Sequence, residues 1–279
     1  SNLSVDGGTI KLDGNYPIGS NNVALGDTAL DDGSLSGQRN TAIGFAALSE
    51  NEGGGYNVAL GAYSLDANTS GNYNSGLGDA TLTANTTGSA NTAAGHAALA
   101  ANTTADSNSA FGYSSMGVNT TGTKNVSSGA FSLDANTSGS FNSAFGYAAL
   151  GANTTSSYNT AVGADSLDAN TTGAFNVAVG YSALGGNTTA SYNTGLGSYT
   201  LNNTTTGDRN VAIGYAAIFT NTTGSRNTAV GAYTMNQNTT GNYNTVMGDQ
   251  ALYYNTTGAN NVALGYVSMA ANTTGATNT

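Results

Sequence analysis

The 279-residue sequence has no cysteine and no tryptophan, and it contains one proline, one histidine and five basic residues. Without cysteine, neither a disulfide framework nor a thiolate metal site can form. The net charge is −10, and nucleic acid and anionic membrane surfaces both require clustered Lys and Arg. No apolar run approaches the roughly 20 residues of a membrane-spanning helix. We therefore expect no nucleic-acid partner and no membrane insertion.

The dominant feature that is present is a 17-residue repeat. Glycine stands at Gly44 and then at every seventeenth residue to Gly265. An asparagine opens each unit at Asn22, at Asn40 and then at every seventeenth position to Asn278, with one extra residue in the segment 31–39. A fixed period of this length is the signature of a solenoid, in which each coil contacts only its neighbours.

The pattern within each unit predicts an all-β fold, a parallel β-solenoid with 17-residue coils. Positions are numbered from the opening asparagine: the third is almost always Ala, the fourth usually apolar, the fifth Gly and the ninth usually Leu. We predict two short strands per coil, with the fourth and ninth positions pointing inward. Period-two alternation then places the small residues at positions three and five on the opposite face.

Stacking of coils places identical residues on top of one another. The asparagine of each turn is expected to bond its own turn and the neighbouring amide. Three structural ladders are predicted, formed for example by Gly163, Gly180 and Gly197, by Asn159, Asn176 and Asn193, and by Leu167, Leu184 and Leu201.

The domain organisation predicted from the period is simple. Residues 1–21 lie outside it and are interpreted as an N-terminal cap or junction segment. Residues 22–279 form an array of about fifteen coils. Because Thr279 is the second residue of a further unit, we expect the array to continue beyond it.

A single coil buries little apolar surface. Two buried side chains contribute roughly 3–6 kcal/mol per coil, whereas ordering costs about 1–2 kcal/mol for each residue. The small Ala and Gly face would let another copy approach, so we expect self-association, with three chains around an axis.

The repeat resembles a known family. The segments Asn-Thr-Ala-Val-Gly-Ala, residues 159–164, and Asn-Val-Ala-Ile-Gly-Tyr, residues 210–215, are similar to the YadA-like head repeat of trimeric autotransporter adhesins. They also resemble arrays in phage tail fibres, those of cyanophages especially. The family repeat is about fourteen residues long, and the additional residues here fall in the Asn-Thr-Thr-Gly turn. The resemblance covers residues 22–279 and implies a left-handed β-roll and an intertwined or side-by-side homotrimer.

No catalytic, metal-binding or cofactor-binding residues are predicted, and we expect no enzyme activity. His96 is the only histidine and is interpreted as a surface substitution, since no second histidine can join it in a metal site. Asp66, Asp134 and Asp168 recur in the segment Ser-Leu-Asp-Ala-Asn, but the Gly-rich pattern of repeat-in-toxin calcium turns is missing. Solvated acidic turns are the simpler interpretation.

Tyrosines are the candidate recognition residues. Position six carries a tyrosine in every second coil of one stretch, and the candidate receptor or glycan contacts are Tyr113, Tyr147, Tyr181 and Tyr215. Space filling is the alternative interpretation. Adjacent threonines in the turn leave an ice-binding face as a third possibility.

The expected function is that of a structural shaft protein in a phage tail fibre or virion appendage, contributing to host attachment. The expected location is the virion surface. The first alternative is a bacterial trimeric surface adhesin at the cell surface, and the second is an ice-binding β-solenoid. Expected partners are further copies of the chain and a host-surface glycan or protein.

Overall fold

The computed structural model describes residues 21–279. The predicted N-terminal cap or junction segment, residues 1–21, therefore lies outside the described residues except for Asn21. The chain divides into two compact units, residues 1–130 and 131–279. Within the described range there are strands and turns but no helix.

Within residues 21–130, the first unit contains seven three-residue strands, each parallel to the next in chain order. Partners are one coil apart, as in Val58↔Ser75. The partners Val23 and Thr41 are one position further apart in sequence because of the extra residue in the first coil. The strands are β1 Val23–Leu25, β2 Thr41–Ile43, β3 Val58–Leu60, β4 Ser75–Leu77, β5 Thr92–Ala94, β6 Ser109–Phe111 and β7 Val126–Ser128.

The second unit repeats this arrangement with eight strands. Its register is set by pairs such as Val177↔Thr194 and Thr194↔Val211. The predicted all-β parallel β-solenoid with 17-residue coils is thus confirmed. The strands are β8 Ser143–Phe145, β9 Thr160–Val162, β10 Val177–Val179, β11 Thr194–Leu196, β12 Val211–Ile213, β13 Thr228–Val230, β14 Thr245–Met247 and β15 Val262–Leu264.

Each coil has one strand, at positions two to four, so the prediction of two strands per coil is wrong. The segment around position nine consists of turns, because positions seven and nine are left-handed: φ is 51° at Ser182 and 54° at Leu184. A left-handed residue ends an extended run. The main chain there still links coils, since the amide of Leu184 donates to the carbonyl of Thr200 at 2.8 Å.

The predicted strand register is wrong by one residue. Position three points inward, and Ala178 is 0% exposed. Positions two and four point outward, and Val177 and Val179 are 36% and 38% exposed. In a three-residue strand the middle side chain faces one side of the sheet, and the first and third side chains face the other. The ninth position points inward as predicted, and Leu184 is fully buried.

Position three is Ala or Gly in most coils because the interior of a coil is narrow, although Val246 is buried at this position in one coil. Position three faces position eight, which is Ala183 in one coil and Thr200 in the next. Opposite Thr200 the third residue is Gly195, where an added Cβ would lie 2.6 Å from the threonine Oγ1. The alanine preference at position three therefore reflects close packing across the coil.

Two rows of buried asparagine fill the rest of the interior. At position one, the backbone amide of Asn176 donates to Oδ1 of Asn159 at 2.9 Å, and its side-chain amide donates to the carbonyl of Ala190 at 2.9 Å. At position twelve, Nδ2 of Asn187 donates to Oδ1 of Asn170 at 2.7 Å. Buried amides cost little only when paired in this way, so the polar half of the core depends on the repeat.

The position-twelve row is interrupted in the coil that begins at Asn193. Thr204 replaces asparagine there, and Oδ1 of Asn187, in the coil before it, is buried without a hydrogen-bond partner. In the coil after it, Nδ2 of Asn221 lies 3.5 Å from the threonine hydroxyl. A threonine hydroxyl is too short to bridge both neighbours, and an unpaired buried acceptor costs about 1–3 kcal/mol.

The substitution Thr204→Asn is expected to stabilise the protein by about 1–2 kcal/mol, because a new amide would donate to Asn187 and accept from Asn221. Thermal unfolding measures the gain. Thr205→Asn is the matched control: this neighbouring side chain is half-buried, and its hydroxyl already donates to the carbonyl of Thr222 at 3.1 Å. A Thr204→Asn protein that melts at or below the parent temperature would contradict the asparagine-ladder account.

Candidate functional surfaces

The largest feature missed by the sequence analysis is an apolar outer sheet face, formed by the side chains at positions two and four. In the first unit its exposed members include Val23, Ile43, Leu77, Phe111 and Val126. Period-two alternation grouped positions two and four correctly but does not say which side of the strand faces water. In the second unit its exposed members include Phe145, Val162, Val177, Val179, Leu196, Ile213, Met247, Val262 and Leu264.

This outer sheet face is nearly continuous in the second unit, whereas β5, which carries Thr92 and Ala94 at positions two and four, interrupts it in the first. In the second unit, seven of the eight strands end on an exposed apolar side chain, from Phe145 to Leu264. The strands that carry them pair directly, as in Val179↔Leu196. A contiguous exposed apolar surface of this kind marks an interaction site, whereas isolated apolar side chains on a surface do not.

A second surface is a row of perpendicular rings in the second unit, which we call the aromatic strip: Tyr181, Tyr199, Tyr215 and Tyr233. Position six supplies the aromatic in one coil and position seven in the next. Successive ring centroids lie 5.3, 5.9 and 5.3 Å apart, with interplanar angles of 86°, 85° and 73°. The alternate-coil spacing seen at position six is therefore half of a longer pattern, in which every coil of this stretch contributes a ring.

The four tyrosines predicted as recognition residues are all exposed, by 47–57%. Tyr181 and Tyr215 belong to the aromatic strip. Tyr147 makes an edge contact with Phe131 at 6.0 Å, and Tyr113 stacks on His96 at 5.4 Å. The structure therefore brings two of the four into one surface, and each of the other two contacts a ring outside the aromatic strip.

Two grooves run along the aromatic strip and share Tyr233. The first has a volume of about 340 Å³ and is lined by Tyr199, Tyr215, Ala216, Phe219, Tyr233 and Asn236. The second, of about 450 Å³, is lined by Tyr233, Gln250, Tyr253, Tyr254, Val267 and Ala270. Both volumes fall in the range of small-molecule sites. Desolvation, then the neighbouring Tyr181 and Tyr215, raises the pKa of Tyr199 above its ordinary value.

A third surface, which we call the edge stack, consists of four parallel aromatic rings and was not predicted from the sequence. Position seventeen places rings in four consecutive coils, with centroids 4.9, 4.9 and 5.1 Å apart and interplanar angles of 4°, 3° and 1°. The guanidinium of Arg209 continues the row 5.3 Å from the ring of Tyr192. Aromatics at one position of consecutive units were the available signal. The stacked rings are Phe141, Tyr158, Phe175 and Tyr192.

His96 and the three turn aspartates, for which no metal or catalytic role was expected, belong to no group of metal ligands within residues 21–279. Nε2 of His96 lies 3.4 Å from Oδ2 of Asp79, and both side chains are half exposed. Burial is the main cause that raises the pKa values of Asp66, Asp134 and Asp168. In the part of the chain that the structure describes, no three His, Cys, Asp or Glu residues lie together as a metal site would require.

The fold and its surfaces define a parallel β-solenoid with an apolar sheet face and two aromatic rows. No protein-family model matches the sequence, and no curated protein or solved structure is significantly similar to it. Within residues 21–279, no helix is long and apolar enough to cross a membrane.

Proposed function

We propose that this chain is a structural shaft protein of a phage tail fibre or related virion appendage, assembled as a homotrimer and contributing to host attachment. The observation that carries the proposal is the outer sheet face, which exposes apolar side chains in most coils. Burying a Val or Leu side chain fully contributes about 1.5–3 kcal/mol. These side chains are 36–65% exposed, so a partner that covers a unit would gain a fraction of that free energy from most coils.

The period of the outer sheet face argues that the partner is a second copy of the same chain. Its apolar side chains repeat at the rise of one coil, about 4.8 Å. A globular partner would meet only a few of them, whereas an identical solenoid matches the spacing along its full length. Closed symmetric assembly is the usual outcome for identical chains. Three copies around an axis would bury all three outer sheet faces.

The basis for self-association differs from the one expected from the sequence. The small Ala and Gly face was expected to receive the neighbouring copy, but position three is buried inside the coil. Position five is also blocked, since the glycine backbones of adjacent coils already touch. In the proposed assembly, the apolar side chains at positions two and four contact the neighbouring copy instead.

The resemblance to YadA-like head repeats supports the same assembly and adds a left-handed roll to the proposal. A shaft requires length, repetition and self-association, and it requires no catalytic group. The proposed location is the virion surface, and a bacterial trimeric adhesin at the cell surface is the alternative.

An ice-binding role has weaker support. An ice-binding surface needs regular rows of hydroxyl groups that are free to bind water. The hydroxyl of the first threonine in the turn is already hydrogen-bonded: Oγ1 of Thr188 donates to the carbonyl of Thr205 at 3.2 Å. Oγ1 of Thr205 in turn donates to Thr222. Only the second threonine, such as Thr189, is exposed to water.

The double substitution Leu196→Asp with Ile213→Asp is expected to convert a trimer into monomers at micromolar concentration. These side chains are exposed on paired strands, so the charges are tolerated by a single chain and not inside an interface. Analytical ultracentrifugation measures the mass, and circular dichroism checks the fold.

The matched control is Thr189→Asp with Thr206→Asp, which adds the same charge at the exposed position fourteen of two adjacent coils. This control should sediment as the parent does. A parent chain that is a folded monomer, or a sheet-face variant that remains trimeric, would refute the proposed assembly.

A further inference from the structure

We propose that the two grooves along the aromatic strip form one binding site for a neutral oligosaccharide, with two subsites on either side of Tyr233. This inference rests on the proposed attachment function and specifies the ligand class. The grooves contact the same tyrosine and lie on the same side of successive coils, since their lining residues occupy positions six, seven, ten and eleven. A ligand that fills both must extend along the solenoid axis.

The first subsite is a gap in a row of bulky residues. Position seven is Tyr199 in one coil, Ala216 in the next and Tyr233 in the third. Ala216 is 5% exposed and forms part of the buried floor of the groove, and the ring of Tyr215 contacts both flanking tyrosine rings. Two coil rises separate the flanking tyrosine backbones by about 9–10 Å. Tyr215 and Phe219 complete the lining.

The second subsite continues past Tyr233. Position seven is Gln250 and then Val267, and position ten is Tyr253 and then Ala270. Its aromatic rings are Tyr253 and Tyr254, which meet edge to face at 4.7 Å. Gln250 is exposed and places an amide at this groove. The two subsites together span roughly five coils, or about 20–25 Å.

The residues that line the two grooves indicate which chemical class of ligand they bind. No Lys, Arg, Asp or Glu lines either groove, so an anionic or cationic ligand would lose its hydration without gaining an ion pair. A purely apolar ligand would cover phenol hydroxyls and the Gln250 amide without pairing them. A sugar ring combines a face of C–H bonds with equatorial hydroxyls, which suits aromatic rings bordered by hydroxyl and amide groups.

The contrast with the edge stack supports this choice of surface. In the edge stack each ring lies parallel to the next at 4.9–5.1 Å, so its faces are covered by its neighbours. In the aromatic strip the rings are nearly perpendicular. Perpendicular packing uses the edge of one ring and leaves part of the next ring's face open to a ligand.

The test uses the assembled 279-residue chain and three neutral hexasaccharides: β-linked glucose, α-linked glucose and β-linked N-acetylglucosamine. Binding is measured by calorimetry and by saturation-transfer NMR. At least one hexasaccharide is expected to bind more tightly than its disaccharide. Tyr233→Ala should lower the affinity about tenfold or more, whereas Tyr233→Phe should stay within about threefold of the parent.

Two further variants separate the site from general effects. Ala216→Tyr fills the first subsite with a residue that position seven already accepts in Tyr199 and Tyr233, and it should reduce hexasaccharide affinity to that of the disaccharide. Tyr158→Ala removes a ring from the edge stack and should leave binding unchanged. Smaller residues occupy position seven elsewhere, as Ala80 does, so Tyr233→Ala should fold.

The inference is overturned if none of the three hexasaccharides binds at millimolar concentration, or if binding is insensitive to both Tyr233→Ala and Ala216→Tyr. It is also overturned if a charged oligosaccharide or a peptide competes for the site more strongly than the neutral sugars. Ultracentrifugation of the same samples distinguishes the two proposals. A trimer that binds no sugar refutes only this inference, and a folded monomer that binds sugar refutes the proposed assembly.

Discussion

A chain that carries Leu184→Asp is expected to lose several kcal/mol of stability, about 3–5, and to melt far below the parent. Leu184 is fully buried. The leucines at the same position of the two adjacent coils, Leu167 and Leu201, are fully buried as well. A carboxylate there would lie between leucines without a cation. Asp tolerates the left-handed conformation of this position, where φ is 54°, so the cost comes from the buried charge.

Two controls isolate that cost in the same thermal melt. Leu184→Met should cost less than about 1.5 kcal/mol, since Met116 and Met235 are fully buried at the same position of other coils. Thr189→Asp should cost little because Thr189 is exposed. Thr188, which the sequence analysis expected to face water, is half-buried with its hydroxyl bonded to the next coil, so it is the poorer control. A Leu184→Asp protein that melts with the parent would contradict the inward ninth position.

Gly44→Ala is expected to destabilise the protein by an amount on the order of 3 kcal/mol, through backbone strain and a steric clash. The φ of 139° at Gly44 is a conformation that L-residues rarely adopt. An added Cβ would also lie 2.5 Å from the carbonyl carbon of Gly61 in the next coil, and backbone there has no room to move aside.

Gly53→Ala in the same coil is the matched control for Gly44→Ala. The nearest atom to its added Cβ is the hydroxyl of Ser36 at 3.9 Å, and its φ is not in the positive region. Chemical denaturation of both variants measures the difference. Equal stability of the two proteins would show that the invariant glycine spacing has a cause other than the close contact of backbones.

The repeat itself was predictable because coil-to-coil stacking acts on identical residues. The period of 17, the parallel pairing and the inward leucine at position nine follow from the spacing of Gly, Asn and Leu. The bonding of Asn176 to its neighbour and to its own turn also follows from residue chemistry, because a repeated buried amide needs a repeated partner.

The aromatic surfaces were predictable only in part. Tyr181 and Tyr215 stand out at position six, but their partners Tyr199 and Tyr233 lie one position further along their coils. Whether rings at neighbouring positions meet edge to face or lie apart depends on the turn that carries them. The left-handed backbone at position seven, with φ of 60° at Tyr199 and 52° at Tyr233, sets that direction.

The sequence by itself determined that this protein is a solenoid and which residues stack, because periodicity alone dictates which residues become neighbours. Only the tertiary structure decided that Ala178 points inward while Val177 and Val179 point outward. Period-two alternation divides a strand into two faces and is silent on which face is buried. That choice depends on the width of the coil, where a leucine and two asparagines leave room for a small inward side chain, in most coils the methyl group of alanine.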